Sequence, residues 1–134
     1  MKNAFATIFM IPFDFFGMGK AKDSQTDGGK AQVRDISPKQ AKEIMDGSDP
    51  FILIDVRTRD EFQRVHIKGA LNMPVDTIES GAQTGLPDKN ALILVYCASG
   101  ARSARASKML AAMGYTNVNN FGGIMNWPYD TVSG

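Results

Sequence analysis

The sequence has little of the chemistry that builds cross-links and metal sites. Its 134 residues include one cysteine and one histidine. One cysteine cannot form an internal disulfide, which fits a reducing compartment, and one Cys with one His cannot supply a Cys/His zinc site. We therefore expect neither a metal nor another cofactor.

The sequence also lacks an excess of charge of either sign. It has 15 Lys and Arg against 14 Asp and Glu, which gives a net charge of +1. This balance removes the electrostatic reason to expect nucleic acid as a partner. The 43% of hydrophobic residues is typical of a globular protein, and the length suits one domain.

The apolar stretch at residues 4–13 is too short for a transmembrane helix, which needs ~20 residues. No clear signal-cleavage motif follows it. Residues 20–31 are polar with paired glycines, which indicates a linker. We predict an N-terminal extension and linker over 1–31, a domain over 32–134 and a cytoplasmic location. Export or membrane contact through residues 1–19 stays open as the alternative.

Strands and helices are predicted to alternate from residue 32 onward. Two capping boxes open helices, one at Ser37 with Gln40 and one at Thr58 with Glu61. A third helix is predicted from Ser103 to Met113. Apolar runs predict strands at 33–36, 51–56, 70–73, 91–96 and 118–121. This pattern favours an α/β fold with a parallel sheet of about five strands and helices on both faces.

The cysteine stands in the turn between the strongest predicted strand and the third helix. We call residues 97–103 the cysteine loop; its sequence is CASGARS. Its amides and the helix N-terminus would form an anion cradle that stabilises a thiolate at Cys97, and Arg102 adds a cation. We therefore expect an exposed, negatively charged sulfur. The alternative is a buried and inert thiol.

The spacing of the loop separates two chemistries. Cysteine phosphatases use C-x5-R to wrap a phosphoryl group, whereas this loop has C-x4-R, with Ser103 at the sixth position after the cysteine. A shorter ring suits a single sulfur atom on Cys97. Phosphatase action stays open as a further alternative.

Three motifs resemble those of the rhodanese family of sulfurtransferases. They are DVR at 55–57 followed by EF at 61–62 and HIKGALNMP at 66–74, the cysteine loop itself, and GGIMNW at 122–127. The resemblance covers about residues 32–127 and implies the family's parallel sheet flanked by helices. The chain departs from the family at Val65, where glycine is usual, in its tail after Trp127, and at Ala98, where many members active on thiosulfate carry a cation.

The resemblance implies a role for each matching residue. Cys97 and Arg102 would be catalytic, and Asp55 and Arg57 would support the site. The loop residues would bind substrate; they are Ala98, Ser99, Gly100, Ala101 and Ser103. His66 and Trp127 are expected to be structural, through hydrogen bonding and packing.

The predicted function is sulfur transfer through a persulfide on Cys97. The donor would be thiosulfate or a polysulfide, and the acceptor cyanide, a thiol or a sulfur-carrier protein. With no second cysteine in the sequence, an external acceptor must remove the sulfur. The competing interpretation is a non-catalytic module of the same family that serves protein contacts.

Overall fold

The computed structural model describes residues 32–134. These residues form five strands, β1 to β5, and four α-helices, α1 to α4. The strands are β1 (Val33–Asp35), β2 (Ile52–Asp55), β3 (Leu71–Asn72), β4 (Ile93–Cys97) and β5 (Val118–Gly123). The helices are α1 (Pro38–Asp46), α2 (Arg59–Arg64), α3 (Ile78–Gly85) and α4 (Ala101–Ala112). Short 3-10 turns lie at Val75–Thr77 and Ile124–Asn126.

Local sequence signals determine where the first two helices begin. Ser37 accepts the amide of Gln40 and the Gln40 side chain accepts the amide of Ser37, so the first capping box is confirmed. Thr58 and Glu61 make the same reciprocal pair at α2. Each box satisfies two amides that the helix itself leaves without a partner.

The five strands are all parallel and lie in the order β1-β5-β4-β2-β3. The chain runs outward from β2 to β3 on one side and from β4 to β5 on the other. The two directions diverge between β2 and β4, which pair with Asp55 opposite Tyr96. The connections after adjacent strands separate at such a switch point and leave a crevice at the carboxyl ends.

Two apolar cores cover the two faces of the sheet, as an all-parallel sheet requires. One contains residues of β2, β4, α3 and α4, including Ile54, Val95, Ile78 and Leu110. The other packs Ala41 of α1 with Leu94, Phe121 and Trp127. Successive residues of β4 alternate between the two cores, so Cys97 faces the one that contains α3 and α4. The predicted fold class, with helices on both faces, is confirmed.

The predicted elements missed α3. Its sequence, IESGAQTG, carries two glycines and therefore has weak helix propensity. Packing holds it in place: Ile78 and Ala82 are fully buried, and a buried Ile contributes about 1.5–3 kcal/mol. The hydroxyl of Tyr115 also lies within hydrogen-bond distance of the carbonyls of Ala82 and Leu86, at 3.1 and 2.5 Å.

Helix α4 begins at Ala101 instead of the predicted Ser103, and β4 extends to include Cys97. The cysteine loop is therefore tighter than expected. The predicted extension, residues 1–31, lies outside the described residues. Within 32–134, none of the helices has the length and apolar content needed to cross a bilayer.

Candidate active site

The cysteine loop lies at the switch point of the sheet, at the carboxyl end of β4. Cys97 is the last residue of that strand, and a shift in register places it opposite Gly123 of β5. Such an irregularity re-aims the side chain at the end of a strand. Gly100 follows with a φ of 116° and caps α4, a conformation that residues with a side chain rarely adopt.

The sulfur of Cys97 is surrounded by hydrogen-bond donors. The amide of Gly100 donates to Sγ at 3.0 Å, and Oγ of Ser103 lies 3.5 Å from Sγ. Burial raises the pKa of the Cys97 thiol, but the Ser103 hydroxyl and the amides of Ser103, Gly100 and Arg102 outweigh it. The net result is a pKa below the ordinary value, because these donors stabilise the thiolate.

The prediction of an exposed sulfur is wrong. Cys97 is 1% exposed and belongs to the apolar core on the α3 and α4 face. The physical reason is the short loop, whose backbone turns back over the sulfur to make its hydrogen bonds. Of the loop residues, Ser99 and Ala101 are exposed, Ala98, Gly100 and Arg102 are half-buried, and Ser103 is buried. A reactant can reach Sγ only if the loop gives way locally.

The cysteine loop packs directly against the backbone at the end of β5. A Cβ atom at Gly123 would lie 2.0 Å from the carbonyl oxygen of Ala98 and 2.6 Å from Cα of Ser99. No real side chain tolerates that approach. The amide of Met125 then donates to the same Ala98 carbonyl at 3.1 Å. The end of β5 thus fixes the first half of the cysteine loop.

Ser103 connects the loop to β5 through its hydroxyl. Its Oγ lies 2.7 Å from Oδ1 of Asn120, 3.0 Å from the carbonyl of Gly100 and 3.2 Å from that of Gly122. A hydroxyl has a single hydrogen, so Ser103 donates to one of these partners or to Sγ at a time. A charged sulfur competes best for that hydrogen, since hydrogen bonds to ionised groups are the stronger ones.

Arg102 does not present a free guanidinium. Its Nη1 and Nη2 donate to Oε1 and Oε2 of Glu61 at 2.8 and 3.0 Å. The hydrogen bonds from Arg102 lower the pKa of Glu61 to about 2, against a smaller effect of burial and with help from Thr58. The same carboxylate closes the capping box of α2. One side chain therefore joins the start of α2 to the cysteine loop.

Asp55 and Arg57 form a second, deeper pair at the end of β2. Nη2 of Arg57 lies 2.7 Å from Oδ2 of Asp55, with 4% and 0% of the two side chains exposed. Arg57 also donates to the carbonyl of Val65, and Asn72 donates to the carbonyls of Asp55 and Arg57. These hydrogen bonds shape the chain after β2 and do not run to Cys97.

His66 and Trp127 have structural partners, as expected. Nδ1 of His66 lies 2.8 Å from the carbonyl of Phe62, and the two rings stack 3.8 Å apart. Trp127 packs against Phe121 and donates to the carbonyl of Asp130. Among residues 32–134, no three His, Cys, Asp or Glu side chains are grouped to hold a metal ion.

The structure thus brings Cys97, the loop amides, Ser103 and Arg102 together, with Asp55 at the end of the adjacent strand and Arg57 just after it. Their catalytic or binding roles stay predictions. Sequence reasoning missed the contacts of Glu61 with Arg102 and of Asn120 with Ser103. Glu61 was noted as a helix cap and as part of the EF element at 61–62, but nothing local indicates a partner 41 positions away.

Comparison with known proteins decides the family. The profile of the rhodanese-like domain matches residues 37–129, more than half of the chain. The chain belongs to the rhodanese family. The predicted resemblance is therefore confirmed.

Two curated relatives of this rhodanese-like chain are named as sulfurtransferases. The thiosulfate sulfurtransferase PspE of Escherichia coli is 40% identical over 81 residues, which cover 60% of this chain and 78% of PspE. The thiosulfate:glutathione sulfurtransferase of Saccharomyces cerevisiae is 32% identical over 127 residues, covering 81% and 91% of the two chains. Among solved structures, a rhodanese with anions from E. coli superposes with a TM-score of 0.60 at 38% identity, covering 63% of this chain and all of that one.

Proposed function

We propose that this rhodanese-like chain is a sulfurtransferase that moves a sulfane sulfur through a persulfide on Cys97. The observation that carries the proposal is the sulfur at the end of β4, which accepts the Gly100 amide at 3.0 Å and has a lowered pKa. A thiolate is the nucleophilic form of cysteine. The names of the relatives supply the donor, thiosulfate, with a polysulfide as the other candidate.

The first half-reaction is a displacement at sulfur. The Cys97 thiolate attacks the outer sulfur of thiosulfate, a new S–S bond forms, and the bond between the two donor sulfurs breaks. Sulfite leaves with the electron pair of that bond, and Cys97 carries a persulfide anion. Atoms and charge balance without an oxidant or a reductant.

The amides of the loop support this step because they can stabilise the negative charge that passes from Cys97 to the leaving group. They stabilise the thiolate before attack, and the anion cradle of the loop and α4 suits the sulfite that forms. Because Cys97 is 1% exposed, the donor must displace part of the loop to reach Sγ.

The second half-reaction needs an external acceptor. A thiolate or cyanide attacks the outer persulfide sulfur, takes it, and restores the Cys97 thiolate. The chain has no other cysteine that could do this. We propose a low-molecular-weight thiol or the thiol of a sulfur-carrier protein as the cellular acceptor. A cytoplasmic location suits such acceptors, with membrane contact through residues 1–19 as the alternative.

Intact-mass measurement after incubation with thiosulfate tests the proposal. We expect a gain of one sulfur atom, which cyanide removes with formation of thiocyanate. Cys97→Ser is the matched control because it deletes the only thiol of the chain and changes a single atom. It should gain no sulfur.

The burial of Cys97 is the observation that favours the non-catalytic alternative. A folded protein that gains no sulfur from thiosulfate or polysulfide would establish that alternative and overturn the proposal. Hydrolysis of an aryl phosphate that depends on Cys97 would instead favour the phosphatase reaction.

A further inference from the structure

Arginines at and near the cysteine loop are paired with carboxylates. Three arginines lie at or beside this edge of the sheet, and each has a carboxylate within 4 Å. Arg57 lies 2.7 Å from Asp55, Arg102 lies 2.8 Å from Glu61, and Arg105 lies 3.7 Å from Asp76. The loop position next to the cysteine is Ala98, which adds no charge. An anionic donor at the loop therefore meets amide dipoles and an arginine whose charge Glu61 already balances.

Glu61 differs from the other two carboxylates in its position. Asp55 is fully buried and is tied to the end of β2. Asp76 is highly exposed, and its contact with Arg105 is long and single. Glu61 is intermediate: 26% of its side chain is exposed, and it holds the arginine of the loop with two short hydrogen bonds.

The helix cap keeps Glu61 in this place. Its Oε1 accepts the amide and the hydroxyl of Thr58, both at 3.0 Å, in addition to Nη1 of Arg102. The carboxylate cannot swing away from the loop without opening the first turn of α2. Its negative charge is therefore fixed beside Arg102 of the cysteine loop.

We infer that Glu61 is a positioning residue that sets the charge selectivity of sulfur transfer, by neutralising Arg102 beside the cysteine loop. This rests on the proposed function. While Arg102 is neutralised, the dianion thiosulfate has a smaller advantage over donors of lower charge, such as organic thiosulfonates and persulfides, than a free Arg102 would give it. Removing the charge of Glu61 frees Arg102 for the donor and shifts the selectivity toward thiosulfate.

The size of the effect follows from charge and distance. A unit charge several ångströms from a dianion at a solvated entrance changes its binding by roughly 3- to 10-fold at low salt. The Coulomb energy is proportional to the charge of the donor. The binding of a monoanion should therefore change by about the square root of the factor for the dianion, roughly 2- to 3-fold. Salt weakens the electrostatic gain of both donors, whereas a gain caused by altered packing would not depend on salt.

Two donors of nearly the same shape provide the measurement. Thiosulfate is a dianion, and the methanethiosulfonate anion, CH3SO2S−, replaces one oxygen by a methyl group and carries one charge less. Attack on the outer sulfur of either donor leaves the same persulfide on Cys97, with sulfite or methanesulfinate as the leaving group. The rate of persulfide formation is measured for both donors by mass at low and high salt.

Glu61→Gln is the test variant, since glutamine at this position still completes a capping box. We expect the thiosulfate rate to rise roughly 3- to 10-fold and the ratio of thiosulfate to methanethiosulfonate to rise with it, both gains falling at high salt. Asp76→Asn removes the same charge without contacting Arg102 and should change the ratio less than about 1.5-fold. Glu61→Asp keeps the charge and should give no gain.

Three results would overturn the inference. One is an unchanged or lower ratio in Glu61→Gln. Another is an equal gain in Asp76→Asn, which would make the effect one of net charge only. The third is an equal gain in Glu61→Asp, which would assign it to a loosened loop. If the wild type forms no persulfide with either donor, the proposed function itself fails and the inference falls with it.

Discussion

Two arginine–carboxylate pairs lie at the same edge of the sheet, in very different surroundings. Asp55 and Arg57 have 0% and 4% of their side chains exposed, whereas Glu61 and Arg102 have 26% and 35%. Both pairs are short, at 2.7 and 2.8 Å. The buried pair is surrounded by backbone groups of the chain after β2, and the outer pair joins the start of α2 to the cysteine loop.

The difference shows that the same kind of arginine–carboxylate pair has different roles depending on how deeply it is buried. A buried charge that loses its partner is very costly, so Asp55 and Arg57 hold their positions whether or not a ligand is present. A partly exposed pair is worth little and exchanges partners readily. The Arg102–Glu61 pair can therefore be changed at small cost to the fold, and the Arg57–Asp55 pair cannot.

Breaking the buried pair should have the largest effect. Asp55→Asn leaves the guanidinium of Arg57 buried without a counter-charge, and we expect the free energy of unfolding to fall by about 3–5 kcal/mol. Urea denaturation measures it, with Glu61→Gln as the matched control. The control should lose less than about 1 kcal/mol. Equal losses in the two variants would show that the two pairs do not differ.

Removing the outer arginine should affect rate more than stability. Arg102→Ala leaves Glu61 without its counter-charge at the entrance, and we expect the thiosulfate rate to fall roughly tenfold, with a smaller fall for methanethiosulfonate. The free energy of unfolding should change by less than about 1 kcal/mol. Persulfide formation and urea denaturation measure the two effects. Equal slowing of both donors would contradict a charge role for Arg102.

The thiolate should depend on neutral donors and not on the buried ion pair. After burial, which opposes it, the groups that lower the pKa of Cys97 are the Ser103 hydroxyl and backbone amides. Ser103→Ala should therefore raise that pKa and move the pH profile of Cys97 alkylation by iodoacetamide toward higher pH. Asp55→Asn should leave the profile in place. A shift in Asp55→Asn as large as that in Ser103→Ala would mean that the buried pair controls the sulfur.

The outer pair should make a small contribution to stability that disappears in acid. The pKa of Glu61 is about 2 in the folded chain, below the ordinary 4.5. Its contribution is complete above 4.5 and is lost as the pH falls toward 2. The difference in unfolding free energy between wild type and Glu61→Gln, less than about 1 kcal/mol near neutral pH, should shrink over that range. A constant difference down to pH 2 would contradict the assignment.

Much of the fold was predictable because its signals are local. The two capping boxes predicted the start of α1 and of α2, and apolar runs predicted β2 and β4. The cysteine loop was recognisable from its residues alone, through their resemblance to the rhodanese family. Helix α3 escaped because packing of Ile78 and Ala82, and not its glycine-containing sequence, holds it in place.

The features of the site that sequence missed depend on distant partners. The burial of Cys97 follows from how tightly the loop turns back over the sulfur, which composition does not encode. The bond between Glu61 and Arg102 depends on the stacking of α2 beside the loop, two elements separated by β3, α3 and β4. Such pairings emerge only when the sheet order is known.

The contact between Gly123 and the carbonyl of Ala98 has a consequence for protein engineering. The seven residues of the cysteine loop cannot be transferred by themselves, because they pack against the backbone of a glycine in another strand. A graft of the loop into a different scaffold would need a glycine at the matching place on the neighbouring strand. The unit that could be transferred is therefore the loop together with the end of β5 against which it packs.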